Sequence, residues 1–323
     1  MQNIVILDDY QNVALIHGDW GKLAGRATLK VLTRHIADQA ELTAELADAD
    51  IIVANRERTP ITDALLATLP KLKLIVTSGM RNASIDVAAA NARGITVCGT
   101  STLGYPTAEL TWALILGFMR NLPQEVASLA SGGWQTTVGT GVRGKTLGII
   151  GLGRIGSDVA KVGQALGMKV IAWSRSLTPE KAAAQGVECV TMDDLLARSD
   201  VATIHLLLNK DTKGFIGADK LAKMKDTALL VNTSRAQLVD TPALIAALKS
   251  HKLGGAALDV YDREPLPADD PIRSAPNTLL TPDLGFVMTE NYQITFGQDV
   301  ENILAWLDGK PTRVIEPNAP AGH

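Results

Sequence analysis

At 323 residues, 46% of them hydrophobic and 20% charged, the chain is long enough for two domains, each with a sizeable core. Its 31 basic and 34 acidic residues leave a net charge of −3. The basic residues are dispersed, which argues against nucleic acid or an anionic membrane as a partner. Cys98 and Cys189 are the only cysteines, each in an apolar stretch, a pattern of two buried reduced thiols rather than a disulfide.

In chain order, the N-terminal MQNIVILDDY lacks a basic segment followed by a long apolar run and a cleavage site, so it reads as the first strand of a cytoplasmic protein. Residues 4–7, 28–32, 50–54, 72–77 and 95–98 predict strands alternating with helices, an α/β pattern. Residues 105–120 predict a long apolar helix closed by Asn121-Leu122-Pro123, either buried between two lobes or forming a subunit interface. No apolar stretch reaches the ~20 residues needed to span a bilayer. Beyond the helix, strands are predicted from Leu147 and at 169–173, 187–190, 201–207, 228–232, 255–259 and 278–280. A last helix, 290–307, ends at Gly309-Lys310-Pro311 and precedes a Pro-containing tail, 317–323. The expected architecture is α/β, with two parallel-sheet domains of Rossmann-like or flavodoxin-like type. Residues 101–284 form a dinucleotide-binding domain inserted in a discontinuous substrate domain, 1–100 plus 285–323.

Residues 144–175 carry the strongest signal. An apolar strand enters GLGRIG, in which Gly151, Gly153 and Gly156 bracket Arg154 and Ile155, and Ile155, Val159, Val162 and Leu166 then recur at helical spacing. In a βαβ unit the first glycine permits the tight turn, the second lets a pyrophosphate approach the backbone, and the third lets helix and strand pack closely. The helix N-terminus favours the phosphates. The second strand ends in Ser174-Arg175, where an acidic residue would accept from a ribose 2′-hydroxyl and an arginine suits a 2′-phosphate. NADP(H) is therefore expected, with NAD(H) the alternative if Arg175 points to solvent. Polar residues also follow later strands: Asn232-Thr233-Ser234-Arg235, then Asp259, then Asp262-Arg263-Glu264-Pro265. Arg235 suits a substrate carboxylate held by two parallel hydrogen bonds, and a structural salt bridge is its other reading.

With GLGRIG, VNTSR, LDVYDREPLP and the TPxLG segment at 281–285, the chain resembles the D-isomer-specific 2-hydroxyacid dehydrogenases over nearly its whole length. The resemblance implies that Arg235 binds the substrate carboxylate and carbonyl, and that Glu264 orients an acid/base histidine. It also implies that Asp259 meets the nicotinamide carboxamide, that Thr233, Ser234 and Arg235 lie beside the same ring, and that His205 lies beside the dinucleotide. Ser78, Gly79, Met80 and Arg81 would present a glycine-containing loop to a small 2-oxo or 2-hydroxy acid, and the assembly would be a homodimer. Tyr105, Trp134 and Phe286 are candidates for pocket walls or plain packing. The chain departs from the pattern where Thr-Pro-His is expected: it reads Thr281-Pro282-Asp283. Losing the imidazolium removes a donor whose help is typically worth 10²–10⁴-fold, or about 3–5 kcal/mol. Impaired or altered turnover is expected. The alternative is a Glu264–Asp283 pair sharing one proton, active at acidic pH. A dinucleotide-binding sensor that has lost catalysis is the reading from another functional class. His17, His35 and His251 are expected at the surface, remote from the site.

Overall fold

The computed structural model describes residues 1–317, so all but the first residue of the tail 317–323 lies outside the described residues. The chain divides into two compact units, Met1–Leu103 with Met288–His323, and Gly104–Val287.

In the first unit, β1 (Gln2–Ile6), β2 (Ala27–Val31), β3 (Ile51–Ala54), β4 (Leu74–Thr77) and β5 (Thr96–Gly99) form a parallel sheet in the order β2-β1-β3-β4-β5. This is the flavodoxin-like order. The inner strands IIVA and LIVT are buried at every position, because a parallel sheet covered on both faces needs apolar residues of both parities. Val5, Ile52, Ile75 and Val97 pack on one face with Leu42, Leu46, Leu65 and Leu66. The helix Thr289–Leu307 packs against β4 and buries Tyr292, Phe296, Val300 and Ile303.

The second unit holds β6 (Thr146–Ile150), β7 (Lys169–Trp173), β8 (Glu188–Cys189), β9 (Val201–Ile204), β10 (Leu229–Asn232), β11 (Gly255–Leu258) and β12 (Thr278–Leu280), all parallel, in the order β12-β11-β10-β9-β6-β7-β8. Counted from β6, this is the Rossmann order with one more strand, and it reverses between β6 and β9. Side chains alternate between two cores. Leu147, Ile149, Val201, Leu229 and Val231 enter one, and Ile150, Ala202, Ile204 and Leu230 the other.

Several expectations need correction. The helix Pro106–Met119 ends where Asn121 adopts a left-handed φ of 52°, yet Leu122-Pro123 open a second helix, Leu122–Ala130, since proline is tolerated in a first turn. One face of the first of these helices is buried within the second unit: Ala108, Trp112, Leu114 and Ile115 lie in its core, and Trp112 Nε1 donates to Val159 O at 3.2 Å. The expected strand 201–207 stops at Ile204: Leu207 is exposed, and the chain bends into a turn in which Asn209 Oδ1 accepts from Asp211 N and Thr212 N. His17 and His35 are half-buried rather than superficial. The first lies against Tyr292 and the second approaches Asp8 at 3.2 Å. Cys98 is buried, its thiol pushed up to about 11 by burial, whereas Cys189 is only partly covered, and both are free. No helix among the described residues is long and apolar enough to cross a membrane.

Candidate functional site

The glycine turn lies at the reversal of strand order, where open α/β sheets bind ligands. Gly151 has φ +106°, and a Cβ there would come within 2.6 Å of His205 O, so strain and space both demand glycine. A Cβ on Gly156 would collide with Gly151 O, so its absence lets the helix Arg154–Ala165 seat on β6. Gly153, at the N-cap of that helix, has nothing within 4 Å of a Cβ position. The turn is thus closed at two glycines and open at the one where a pyrophosphate would approach, which fits a dinucleotide. Arg154 crosses Gly104, whose missing Cβ makes room for the guanidinium.

Ser174 and Arg175 follow β7, and Arg175 Nη1 lies 3.3 Å from Asp211 Oδ2 with both side chains mostly exposed. His205 follows β9. Its Nε2 is 3.0 Å from Thr203 Oγ1, and burial alone pushes the imidazole down to about 4, so it is neutral at ordinary pH. After β10, Asn232 Oδ1 accepts from Ser234 N, Asn232 Nδ2 donates to Arg235 O, and Ser234 Oγ donates to Leu206 O. These bonds fix the backbone that carries Arg235, a half-buried side chain whose Nη1 donates to Ser234 O. Thr233 is buried, with Oγ1 2.8 Å from Thr111 Oγ1, and this ties the same turn to the helix Pro106–Met119.

Asp259 follows β11 and is almost wholly buried. Thr281 Oγ1 and Leu284 N donate to its Oδ1, and Gly285 N donates to its Oδ2, at 2.7–2.8 Å. Its carboxyl therefore holds the loop 281–285. Burial nevertheless pushes it up to about 6, against these donors and with help from the charge of Asp283. Asp283 itself has φ +52°, a region that aspartate tolerates better than most residues, and its N–H donates to Asp259 O. Glu264 precedes a cis peptide bond to Pro265, and its Oε1 accepts from Tyr261 N at 2.8 Å. Glu264 is exposed as a residue, yet desolvation pushes its carboxyl up to about 7. The charges of Asp283 and Asp259 add to the rise, and Arg235 opposes it. The structure thus brings Arg235, Asp259, Glu264 and Asp283 into one electrostatic group. Sequence reasoning passed over two supports of this group. Tyr261 donates to Thr281 O at 2.8 Å, and Thr107 Oγ1 donates to Gly285 O at 3.1 Å. Tyr261 stands inside LDVYDREPLP, but a tyrosine bonded only to backbone leaves no chemical signature in a sequence.

In the first unit, Ser78, Gly79, Met80 and Arg81 follow β4. Ser78 is buried, Gly79 has φ +89° with its N–H donating to Thr100 Oγ1 at 3.0 Å, and Met80 and Arg81 are exposed. Tyr105 and Trp134 are exposed, Trp134 at 75%, and Phe286 is half-buried.

The family model for the NAD binding domain of D-isomer specific 2-hydroxyacid dehydrogenases matches residues 112–285. The chain belongs to that family. The D-3-phosphoglycerate dehydrogenase of Archaeoglobus fulgidus is 38% identical over 291 residues, which cover 88% of this chain and 54% of that protein. The chain therefore spans about half the length of several of the curated relatives it matches. The crystal structure of a phosphoglycerate oxidoreductase from Vibrio cholerae superposes with a TM-score of 0.91 at 37% identity, covering 96% of this chain and all of that one. An acyclic imino acid reductase in complex with NADPH and D-Arg superposes at 0.72 with 27% identity, covering 97% of this chain and 100% of that one.

Proposed function

We propose that the protein is a nicotinamide-dependent oxidoreductase that interconverts a small 2-oxo acid and its D-2-hydroxy acid, with turnover altered by Asp283. The observation that carries this reading is the grouping of Arg235 with Glu264 and Asp283 in the unit whose glycine turn fits a dinucleotide. The bound coenzyme would supply or accept the hydride at C2. Gly151, Gly153, Arg154, Ile155 and Gly156 would cradle its pyrophosphate, and Thr233, Ser234 and Asp259 would border its reactive ring. Arg235 would take the substrate carboxylate through two N–H groups, fixing C2 at one distance from that ring. In place of a histidine, the Glu264–Asp283 pair would hold one proton and deliver it to the C2 oxygen. The upward shift of Glu264 to about 7 supports this, because a carboxyl raised by desolvation, with a neighbouring carboxylate adding to the rise, keeps its proton below that pH and loses it above.

For the coenzyme we favour NADP(H) over NAD(H), on the strength of Arg175 after β7 and of the NADPH held by the imino acid reductase relative. The loop of Ser78, Gly79, Met80 and Arg81 is our candidate for substrate contact from the first unit. We also infer a homodimer. The helix Leu122–Ala130 buries none of its residues and leaves Leu122, Val126 and Leu129 exposed close to Trp134. The test of function is NADPH oxidation with glyoxylate and hydroxypyruvate across about pH 5 to 8. Turnover that declines above about pH 7 is expected. Dinucleotide binding without turnover at any pH would replace this reading by that of a sensor.

A further inference from the structure

Resting on that reading of the site, we propose that Tyr261 is a positioning residue for the proton transfer, fixing the backbone of residue 283 relative to the Glu264 carboxyl. The two ends of this tyrosine grip the two segments concerned. Its backbone N–H donates to Glu264 Oε1 at 2.8 Å, and its hydroxyl donates to Thr281 O at 2.8 Å and lies 3.2 Å from Leu258 O. The ring between them packs against the core that holds Ile204, Leu230 and Leu258, so it acts as a stiff strut rather than a flexible arm. Burial pushes the hydroxyl well above its ordinary range, which keeps it a donor at every pH of the assay.

The two segments differ in what else holds them. The Glu264 segment is fixed independently: Arg273 Nε and Nη2 donate to Pro267 O and Leu266 O at 2.7 Å, and Thr241 Oγ1 donates to Asp262 Oδ2 at 2.7 Å. The loop side turns on Thr281, whose polar groups are all engaged. Its N–H donates to Leu258 O at 2.9 Å and its Oγ1 to Asp259 Oδ1 at 2.7 Å. Its carbonyl oxygen accepts from the Tyr261 hydroxyl and also, at 3.1 Å, from the Asp283 N–H. The hydroxyl and the backbone of residue 283 thus meet on one oxygen, so removing the hydroxyl acts directly on where residue 283 stands. Arg235 sits on a different turn, braced by Asn232, and its hold on a carboxylate does not pass through Tyr261. Loss of the hydroxyl therefore disturbs the proton-delivering side of the site without moving the substrate anchor, a change in the chemical step rather than in binding.

The test measures glyoxylate reduction by NADPH in the full chain, as wild type, Tyr261→Phe, Asp283→Asn and the double variant. Phenylalanine keeps the ring in the core, and asparagine tolerates the positive φ of residue 283. Tyr261→Phe is expected to lower kcat about tenfold while changing KM for glyoxylate and the affinity for NADPH by less than about twofold. In the Asp283→Asn background the same substitution costs less than about twofold, because the group it positions is gone. Thr281→Val removes the neighbouring bond to Asp259 and lowers kcat likewise, and Thr281→Ser restores it. Amide hydrogen exchange gives a readout independent of turnover: the Thr281 and Asp283 N–H groups exchange faster in Tyr261→Phe, and those of the helix Arg154–Ala165 are unchanged. An unchanged kcat, an equal loss in both Asp283 backgrounds, or a loss confined to KM or NADPH affinity overturns the inference and leaves the proposed function standing. Wild-type protein that binds NADPH and reduces neither glyoxylate nor hydroxypyruvate at any pH overturns both.

Discussion

Replacing Asp283 by histidine tests the chemistry at its most exposed point. In the wild type the acid available to a 2-oxo acid is a carboxyl with its midpoint at about 7, on Glu264. Such a group is almost fully protonated at about pH 5.5 and roughly one quarter protonated at about pH 7.5, so 2-oxo acid reduction should fall about fourfold over that interval. With Asp283→His, Glu264 keeps the desolvation that chiefly raises it but loses a like charge that adds to the rise and gains an opposite one, so its midpoint falls and it stabilises an imidazolium. The donor becomes a cation, and its charge favours the developing alkoxide. General acid help of 10²–10⁴-fold is the ceiling. The wild-type pair already supplies part of it, so we expect kcat/KM for glyoxylate to rise about 10²-fold at pH 7.5 and less at pH 5.5. Initial rates of NADPH oxidation in both proteins, measured against pH, decide the matter. Equal kcat/KM values at pH 7.5, or a wild-type rate that climbs with pH, would refute the reasoning.

Arg235→Lys keeps the charge but loses the two-pronged grip, so KM for the acid should rise by about 10- to 100-fold in steady-state assays. Gly153→Ala and Gly156→Ala should part company. The first meets no atom and should leave the melting temperature unchanged while weakening dinucleotide binding by calorimetry, whereas the second should cost about 1–3 kcal/mol of stability in denaturant titrations. Asp211→Asn frees Arg175 from an exposed pair worth little in itself and removes a charge that repels a 2′-phosphate. NADPH affinity should rise about two- to fivefold with NADH unaffected, as read by fluorescence titration. Leu129→Glu puts a charge in the apolar strip of the helix Leu122–Ala130 and should convert a dimer to monomer in analytical ultracentrifugation.

Much of this architecture is legible in the chain because the parallel sheets write themselves as short apolar runs. β7 and β12 match the residues expected, since flanking turns bound each of them closely. The failures share a cause. Leu206 and Leu207 read as a strand's continuation, yet they leave the sheet because the Asn209 turn captures the backbone, and an exposed leucine carries the same letter as a buried one. Leu122-Pro123 read as a stop because proline ends helices, although it also starts them. At the site, residue type and position announced Arg235, and the family resemblance announced Glu264 and the missing histidine. They did not announce that Asp259 fastens the loop 281–285, because the donors include the backbone N–H groups of Leu284 and Gly285, which no sequence pattern marks. That arrangement bears on Asp283: its N–H donates to Asp259 O and the loop that carries it is fastened by the Asp259 carboxyl, so its position depends on contacts that lie outside its own segment of the sequence.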